Sequence, residues 1–506
     1  MSATGPAWWT IVREARIIGD ITEAPVTGIE LDSRAVMPGN VFVAVPGASF
    51  DGHDFIGAAL ERGATAVVVQ ADRGRTWQAF EGKVPLVIVP DARIALAQAA
   101  AGCYGRPARA LGVVGVTGTD GKTTTTHLIA HVLSACGLPA GYLSSVAFGL
   151  PDSAELNATH MTTVEAPAIQ RHLARIRDAG ARFAIIEASS HGLDMHRVDE
   201  CEFDVGVFTN LTRDHLDYHG TMERYRDAKA TLFRMLDRSL VKAGIAKAAV
   251  VNADDEASGY MRGATRANPI TYGVHAEADV AGGEIRVGRS ATDVTVRTGG
   301  RTFEASVPLL GAFNAYNALA AIAVALSQGI DPARAVAALA SFPGVPGRME
   351  IIDEGQPFRV VVDIASTEQA MRNVLGVLRP ITQGRLIVLF GAAGERDRER
   401  RHGLARAVAA HADLAIIANE DPRSEEPEVI ISDIARALES AGVKAERVRR
   451  IADRREAMRV AFREAGAGDT VLLAGKGSEQ SIVIGTTHYP WDEREVAREL
   501  LRGLGL

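Results

Sequence analysis

The sequence predicts an α/β protein of three domains, the second and third each built on a parallel sheet. Three observations carry this. The chain has 506 residues, too many for one ordinary hydrophobic core, so two to four domains are expected. Short apolar runs of strand length alternate with amphipathic segments of helical length, the pattern of βαβ units. Glycine is abundant at 50 residues and aromatics are only 5%, which suits many tight strand-to-helix turns.

Residues 1–109 hold the apolar runs Val41–Val45, Ala66–Val69 and Leu86–Val89, broken by Pro and Gly, and read as a small α/β unit. Residues 110–343 carry the buried-strand signals Val113–Val116, Phe183–Ile186, Val205–Phe208 and Ala249–Val251, separated by helical patterns. Near the end of that stretch Val294 and Val296 alternate with polar residues, Gly299-Gly300 forms a turn, and Phe303, Ala305 and Val307 alternate again. A small antiparallel hairpin attached to the parallel sheet is the expectation. The Pro- and Gly-rich stretch Phe342–Glu350 marks the next boundary. Residues 344–506 add four further strand runs, Arg359–Val362, Leu386–Phe390, Leu414–Ile417 and Thr470–Ala474, for a second βαβ domain of Rossmann-like type.

A hydrophobic content of 47% and a charged content of 23% exclude a disordered or coiled-coil chain. The net charge of −7 argues against a general nucleic-acid or anionic-membrane binder. Cys103, Cys136 and Cys201 form no CxxC pair and read as reduced and buried, hence cytoplasmic. No stretch has the length of a membrane span, and the first twenty residues lack the pattern of a signal peptide.

The strand Val113–Val116 runs into Thr117-Gly118-Thr119-Asp120-Gly121-Lys122-Thr123, and a helix with Leu128, Ile129, Val132 and Leu133 on one face follows. Strand, Gly-rich loop, GKT and helix together are the phosphate-cradling arrangement of a P-loop. Backbone N–H groups hold phosphates, the lysine reaches the β/γ-phosphates and the threonine hydroxyl ligates Mg²⁺. Gly118, Thr119, Gly121, Lys122, Thr123 and Thr124 are the expected ATP contacts; a strict P-loop would have Gly where Val116 stands. Glu187 ends a strand of the same sheet, where a further Mg²⁺ contact belongs. The stretch Thr209–His219 gathers Asp and His after the next strand. With no Cys near, Mg²⁺ held with one His suits it better than zinc, and His219 is expected to cap or pack. Ser190-His191 are chain neighbours on a turn and do not read as a nucleophile with its base.

The motifs DSRAVMPGNVFVAVPG, GVTGTDGKTTT, EASSHGLDMHRV, RDHLDYHGTMERYRDAKATLF, GAFNAYNALAA, PGRME and AGKGSE stand in order along the chain. In them the sequence resembles the Mur ligase family, and within it the MurE type. The resemblance implies a uridine-nucleotide domain, a central ATPase domain and a C-terminal amino-acid domain. It also implies ATP-dependent joining of a diamino acid to UDP-MurNAc-L-Ala-D-Glu through an acyl phosphate, in peptidoglycan biosynthesis, by a cytoplasmic monomer.

Carried over by motif, Lys122, Lys229 and His215 serve catalysis, and Thr123, Glu187, His215 and Lys229 form the metal set, with Lys229 where the family has a carbamylated lysine. Without that match, Lys229 reads as a solvated helix lysine. Asn314, Asn317, Arg348 and Asp363 match nucleotide contacts. Ser33, Arg34, Thr162, Thr163, Ser189 and Arg197 match the uridine-nucleotide substrate. Arg401, Glu420, Asp421, Arg423, Gly475 and Glu479, at the carboxyl ends of the C-terminal strands, match the incoming amino acid. Arg can hold a carboxylate and Glu an ammonium.

Three departures stand out: Ser366 and Ser478 where the family has histidines, and Asp421 where it has asparagine. Asp421 adds a negative charge near Arg423, favouring a distal ammonium; if Arg423 neutralises it, neither charge is free to select and a simple diamino acid becomes plausible. The balance favours meso-diaminopimelate over L-lysine or L-ornithine. The alternatives are a nucleotide-binding homologue without turnover, serving as partner or scaffold, and a folylpolyglutamate-synthetase-like ligase.

Overall fold

The computed structural model describes residues 8–21, 26–47, 50–159 and 161–504. Residues 1–7, within the stretch read above for a signal peptide, lie outside it. The described residues form two compact units. The first runs to Gly283 and adds Val296–Phe303 and Tyr316–Leu339; the second comprises Glu284–Thr295, Glu304–Ala315 and the chain from Ala340 onward.

The N-terminal sheet contains β1 (Arg16–Ile18), β2 (Gly28–Glu30), β3 (Asn40–Val43), β4 (Ala66–Gln70) and β5 (Leu86–Val89), in the order β1-β5-β4-β3-β2. β2 to β5 pair in parallel, and β1 closes the edge antiparallel to β5. β3 and β5 are buried on both faces, which is why they read as unbroken apolar runs. The helix Ala92–Cys103 starts at Asp91, whose carboxylate accepts from the backbone N–H groups of Arg93 and Ile94 at 2.8 and 3.1 Å.

The central sheet contains β6 (Gly112–Thr117), β7 (Ala140–Leu143), β8 (Ala147–Leu150), β9 (Ser153–Leu156), β10 (Phe183–Glu187), β11 (Val205–Phe208), β12 (Ala248–Asn252), β13 (Asn268–Gly273), β14 (Val280–Val287), β15 (Thr292–Thr298) and β16 (Arg301–Val307). Its order is β16-β15-β14-β13-β12-β11-β6-β10-β7-β8-β9. β6 lies between β10 and β11 and is parallel to both, so the loop that leaves it opens between two neighbouring strand ends. β15 and β16 flank the predicted Gly299-Gly300 turn.

The C-terminal sheet contains β17 (Glu350–Ile352), β18 (Arg359–Asp363), β19 (Leu386–Phe390), β20 (Leu414–Ile417), β21 (Val448–Arg450) and β22 (Thr470–Ala474), in the order β17-β18-β22-β19-β20-β21. All pairs are parallel except β17–β18. Its two faces are covered by separate apolar clusters, one around Val361, Val388 and Leu472 and one around Val360, Leu389 and Leu473, the layering of a doubly wound sheet. A hairpin of β23 (Ser481–Ile484) and β24 (Thr487–Pro490) follows.

All three cysteines are free thiols; Cys136 and Cys201 are buried, and Cys103 is only half-buried, short of the expectation. Among the described residues no helix is long and apolar enough to cross a membrane.

Candidate active site

The phosphate loop is where the sequence places it. β6 is buried along its length and delivers Gly118 to Gly121, after which the helix Lys122–Ala135 begins. Gly118 and Gly121 adopt φ of 153° and 80°, conformations side chains resist. A Cβ at Gly118 would fall 1.8 Å from Thr209 Oγ1, and one at Gly121 would fall 2.7 Å from Asn317 Oδ1.

The loop is stapled to the segment after β11. Thr209 Oγ1 donates to the Asp120 carbonyl at 2.7 Å, Asn210 Oδ1 accepts from the Asp120 N–H at 2.9 Å, and the Asn210 carbonyl accepts from the Thr119 N–H at 2.9 Å. Lys122 Nζ donates to the carbonyls of Gly118 at 3.1 Å and Thr119 at 2.7 Å. Thr123 Oγ1 lies 2.9 Å from Ser145 Oγ, Thr124 sits in the first helical turn, and Asn317 Oδ1 accepts from Thr125 Oγ1 at 3.1 Å.

Lys229 is not a solvated helix lysine. The helix Met222–Arg238 turns it inward, where it is 1% exposed and donates to the Gly118 carbonyl at 2.6 Å. Its Nζ lies 4.3 Å from the centre of the Tyr225 ring, and the Tyr225 hydroxyl lies 3.1 Å from Thr119 Oγ1. Burial, and secondly the charge of Lys122, push the Lys229 amine well below the ordinary lysine range.

Beside it His215, in a left-handed conformation, lies edge-on to Tyr225 at 6.1 Å and to His191 at 4.9 Å. His219 packs against Tyr225 at 5.2 Å, as expected of a packing residue. His191 packs at a tilt against Tyr218 at 4.2 Å, while the buried Ser190 hydroxyl has no hydrogen-bond partner among the described residues, so the pair is no nucleophile and base.

Glu187 ends β10 with its side chain buried, in register with Val116 of the strand that feeds the phosphate loop. Thr123 hydroxyl, Glu187 carboxylate and His215 imidazole are oxygen and nitrogen donors that suit Mg²⁺. Lys229 as an ammonium does not; as a carbamate it would. Among the described residues no three of His, Cys, Asp and Glu converge as a ready metal cage.

Three of the residues assigned to the uridine-nucleotide substrate come together at the end of β10. Thr163 Oγ1 donates to the Glu187 carbonyl at 2.7 Å, accepts from the Ser189 N–H at 3.0 Å, and its own carbonyl accepts from Arg197 at 3.0 Å. Arg197 is also paired with Glu165 at 2.8 Å. Thr162 lies beside them, partly buried. Ser33 is buried in a separate loop, where Arg34 is exposed and paired with Asp32 at 2.8 Å.

In the second unit, Asp363 ends β18 and its carboxylate accepts from the backbone N–H groups of Met349 and Ala365, both at 2.8 Å. Burial raises its pKa, and the neighbouring Arg348 opposes the rise. Asn314 Nδ2 donates to the Leu310 carbonyl at 2.9 Å. Ser366, standing for a histidine, accepts from Arg400 at 2.6 Å. Glu420 follows β20 with a buried carboxyl that burial raises to about 7. Gly475 packs so closely that a Cβ there would lie 2.8 Å from Glu420 Oε2.

One expectation is corrected, and one condition left open by the sequence is not met. Arg401 does not face an amino acid: it is 1% exposed, and its terminal nitrogens donate to Asp433 at 2.8 Å and Glu425 at 2.6 Å. Asp421 is not neutralised by Arg423. Its partner is Lys476, at 2.9 Å, which also holds Glu479 at 2.6 Å. Lys476 stands in AGKGSE just after a buried strand, a position whose role the sequence alone does not show.

A phosphate loop with two converging lysines in one unit, and a doubly wound sheet whose strand ends gather Arg, Glu and Lys in the other, define a nucleotide-dependent enzyme of the α/β class. Family descriptions match most of the chain: "Mur ligase family, catalytic domain" over residues 25–104, "Mur ligase middle domain" over 116–325, and "Mur ligase, glutamate ligase domain" over 347–477. The chain belongs to the Mur ligase family and is an ATP-dependent, amide-bond-forming ligase. It is 44% identical over 490 residues to the UDP-N-acetylmuramyl-tripeptide synthetase of Roseiflexus sp. (strain RS-1), covering 95% of each chain. It is 41% identical to the UDP-N-acetylmuramoyl-L-alanyl-D-glutamate--2,6-diaminopimelate ligase of Geobacillus thermodenitrificans (strain NG80-2), covering 94% of this chain and 95% of that one. A solved structure of a 2,6-diaminopimelate ligase of the same name superposes with a TM-score of 0.68 at 30% identity, covering 99% of this chain and 100% of that one.

Proposed function

We propose that the chain joins meso-diaminopimelate to the terminal carboxylate of UDP-MurNAc-L-Ala-D-Glu, in peptidoglycan biosynthesis. The γ-phosphoryl group of ATP passes to that carboxylate, giving an acyl phosphate and ADP. The amine then attacks the acyl carbon; phosphate leaves, the amide forms and a proton is released. A carboxylate is a poor electrophile, and phosphorylation supplies the leaving group.

The observation that carries the reading is the phosphate loop with Lys122 and Lys229 converged on it. A preorganised cation at the transferring phosphoryl oxygens is the main demand of this chemistry, and Lys122 supplies it, while Lys229 supplies a metal ligand once carbamylated. Thr123, Glu187, His215 and a carbamylated Lys229 would hold Mg²⁺, which neutralises phosphate charge. Gly118, Thr119, Gly121 and Thr124 cradle the phosphates, with Asn314, Asn317, Arg348 and Asp363 on the rest of the nucleotide. Ser33, Arg34, Thr162, Thr163, Ser189 and Arg197 take the uridine-nucleotide substrate. In this reading residues 1–109, 110–343 and 344–506 are the uridine-nucleotide, ATP and amino-acid domains of a cytoplasmic monomer.

Diaminopimelate is favoured because Arg423 has no carboxylate within ion-pair distance among the described residues, so it is available to a substrate carboxylate. The names of the relatives support the same substrates. The test is to incubate the protein with UDP-MurNAc-L-Ala-D-Glu, ATP and Mg²⁺ and with meso-diaminopimelate, L-lysine or L-ornithine, following amide product and ADP. Product with meso-diaminopimelate at the highest kcat/KM is expected. ADP formation without an amide product would favour a non-ligating homologue.

A further inference from the structure

Lys476 follows β22 directly, and its side chain is wholly buried. Its ammonium donates to Asp421 Oδ1 at 2.9 Å and to Glu479 Oε2 at 2.6 Å. Asp421 Oδ1 also accepts from the Val483 N–H at 2.9 Å, so that carboxylate is fixed from two sides. The buried Glu420 feels the same ammonium. Three carboxylates from the ends of two strands thus gather around one lysine. Arg423 stands apart. Its backbone is tied, by its N–H to the Val483 carbonyl at 3.0 Å and by its carbonyl to the Gly485 N–H at 2.7 Å. Its guanidinium pairs with no carboxylate among the described residues.

We infer that Lys476 sets amino-acid selectivity by charge. It holds Asp421 and Glu479, so neither captures Arg423 nor repels a carboxylate arriving beside it, and Arg423 is left to select a substrate with a distal carboxylate. Asp421 is tolerated in this chain because its charge is already spent on Lys476. Lys476 is a positioning residue here: it acts through Asp421, Glu479 and Arg423. The inference deepens the proposed function and rests on it.

The physical content is an imbalance that substitution exposes. Removing the ammonium leaves the buried Glu420 and the partly buried Asp421 and Glu479, whose carboxylates oppose a second carboxylate and attract a distal ammonium. Removing Asp421 as well takes away one of the charges that Lys476 had balanced. A purely structural strap between the two loops would lose activity with every amino acid alike, and Asp421→Asn would not repair it.

The experiment compares wild type, Lys476→Met, Asp421→Asn and the double variant. For each, kcat/KM is measured with meso-diaminopimelate and with L-lysine, together with KM for ATP. The ratio of the two kcat/KM values should fall roughly tenfold or more in Lys476→Met and return to within about threefold of wild type in the double variant, with KM for ATP unmoved throughout. An unchanged ratio in Lys476→Met, or a double variant as shifted as the single one, would overturn the inference. If Lys476→Met does not fold, the double variant against Asp421→Asn decides: similar ratios support the inference, and a ratio roughly tenfold lower in the double variant overturns it. A wild type that ligates neither amino acid overturns the proposed function itself; ligation with a ratio that never moves overturns only the role of Lys476.

Discussion

Lys122 and Lys229 share one acceptor: both ammonium groups donate to the carbonyl of Gly118, at 3.1 and 2.6 Å. They reach it from different helices, Lys122 from the first turn after the phosphate loop and Lys229 from the middle of Met222–Arg238. Two like charges on one oxygen repel, and the depressed basicity of Lys229 records part of that repulsion. A polyphosphate arriving at this loop meets the Lys122 ammonium already in place, so little reorganisation remains for the reacting state.

Lys122→Ala should therefore abolish ATP-dependent ligation while the protein stays folded. Losing one preorganised donor at developing charge costs about 3–4 kcal/mol, on the order of a hundred- to thousandfold in kcat. Steady-state ligation rates beside circular dichroism check this; near-normal turnover in a folded variant would remove Lys122 from the phosphate site.

Lys229 leads to a second expectation. A carbamate forms from a neutral amine and carbon dioxide with release of a proton, and burial favours the neutral amine. Lys229→Ala should be nearly inactive and partly rescued by acetate or formate, which return a carboxylate to the vacated space. Full activity of the alanine variant without additive would sink the carbamate.

Glu420 predicts a pH dependence of stability. Its folded-state pKa is raised to about 7 from 4.5 by burial. The fold therefore favours the protonated form, and that contribution is fully present below about pH 4.5. It is lost as pH rises toward about 7, an effect on the order of 3 kcal/mol. Glu420→Gln should lack this loss and be more stable than wild type at about pH 8, with the difference closing at about pH 4.5. Urea unfolding at both pH values measures it; curves that stay parallel would show that Glu420 does not titrate in this range.

What the sequence reveals follows from which forces are local. Leu386–Phe390 and Val205–Phe208 read as strands because a strand buried on both faces must be apolar throughout. β1 and β2, three residues each, and β24, exposed along its length, carry no such signal and are not foreseen. Lys122 is legible because the loop, the lysine and the helix are contiguous. The burial of Lys229 is not, since its acceptor lies 111 residues away along the chain. The partner of Asp421 is 55 residues distant, and the nearer Arg423 is the natural but mistaken choice. Arg401 misleads for a different reason. A helix start rich in Arg, Glu and Asp resembles a solvated face or a ligand site, and only the packing of Glu425 and Asp433 around it shows that its charge is internal.

Arg401 and Arg423 should consequently part company when each is replaced. Arg401→Ala removes a buried cation and leaves Glu425 and Asp433 facing each other, which costs about 3–5 kcal/mol of stability for a broken buried pair. Both carboxylates keep some solvent contact, so the lower end of that range is expected. Thermal unfolding should move to lower temperature, and the activity of the protein that remains folded should fall alike for every amino acid. Arg423→Ala removes a guanidinium with no carboxylate to strand among the described residues, so Tm should hold. Its effect should appear in kcat/KM for meso-diaminopimelate, down roughly tenfold or more relative to L-lysine, because only the former presents a second carboxylate. Parallel measurement of Tm and of kcat/KM with both amino acids separates the two arginines. A selective loss of diaminopimelate in Arg401→Ala with Tm unchanged would restore Arg401 to the amino-acid site, and an Arg423→Ala variant with an unaltered preference would take Arg423 out of it.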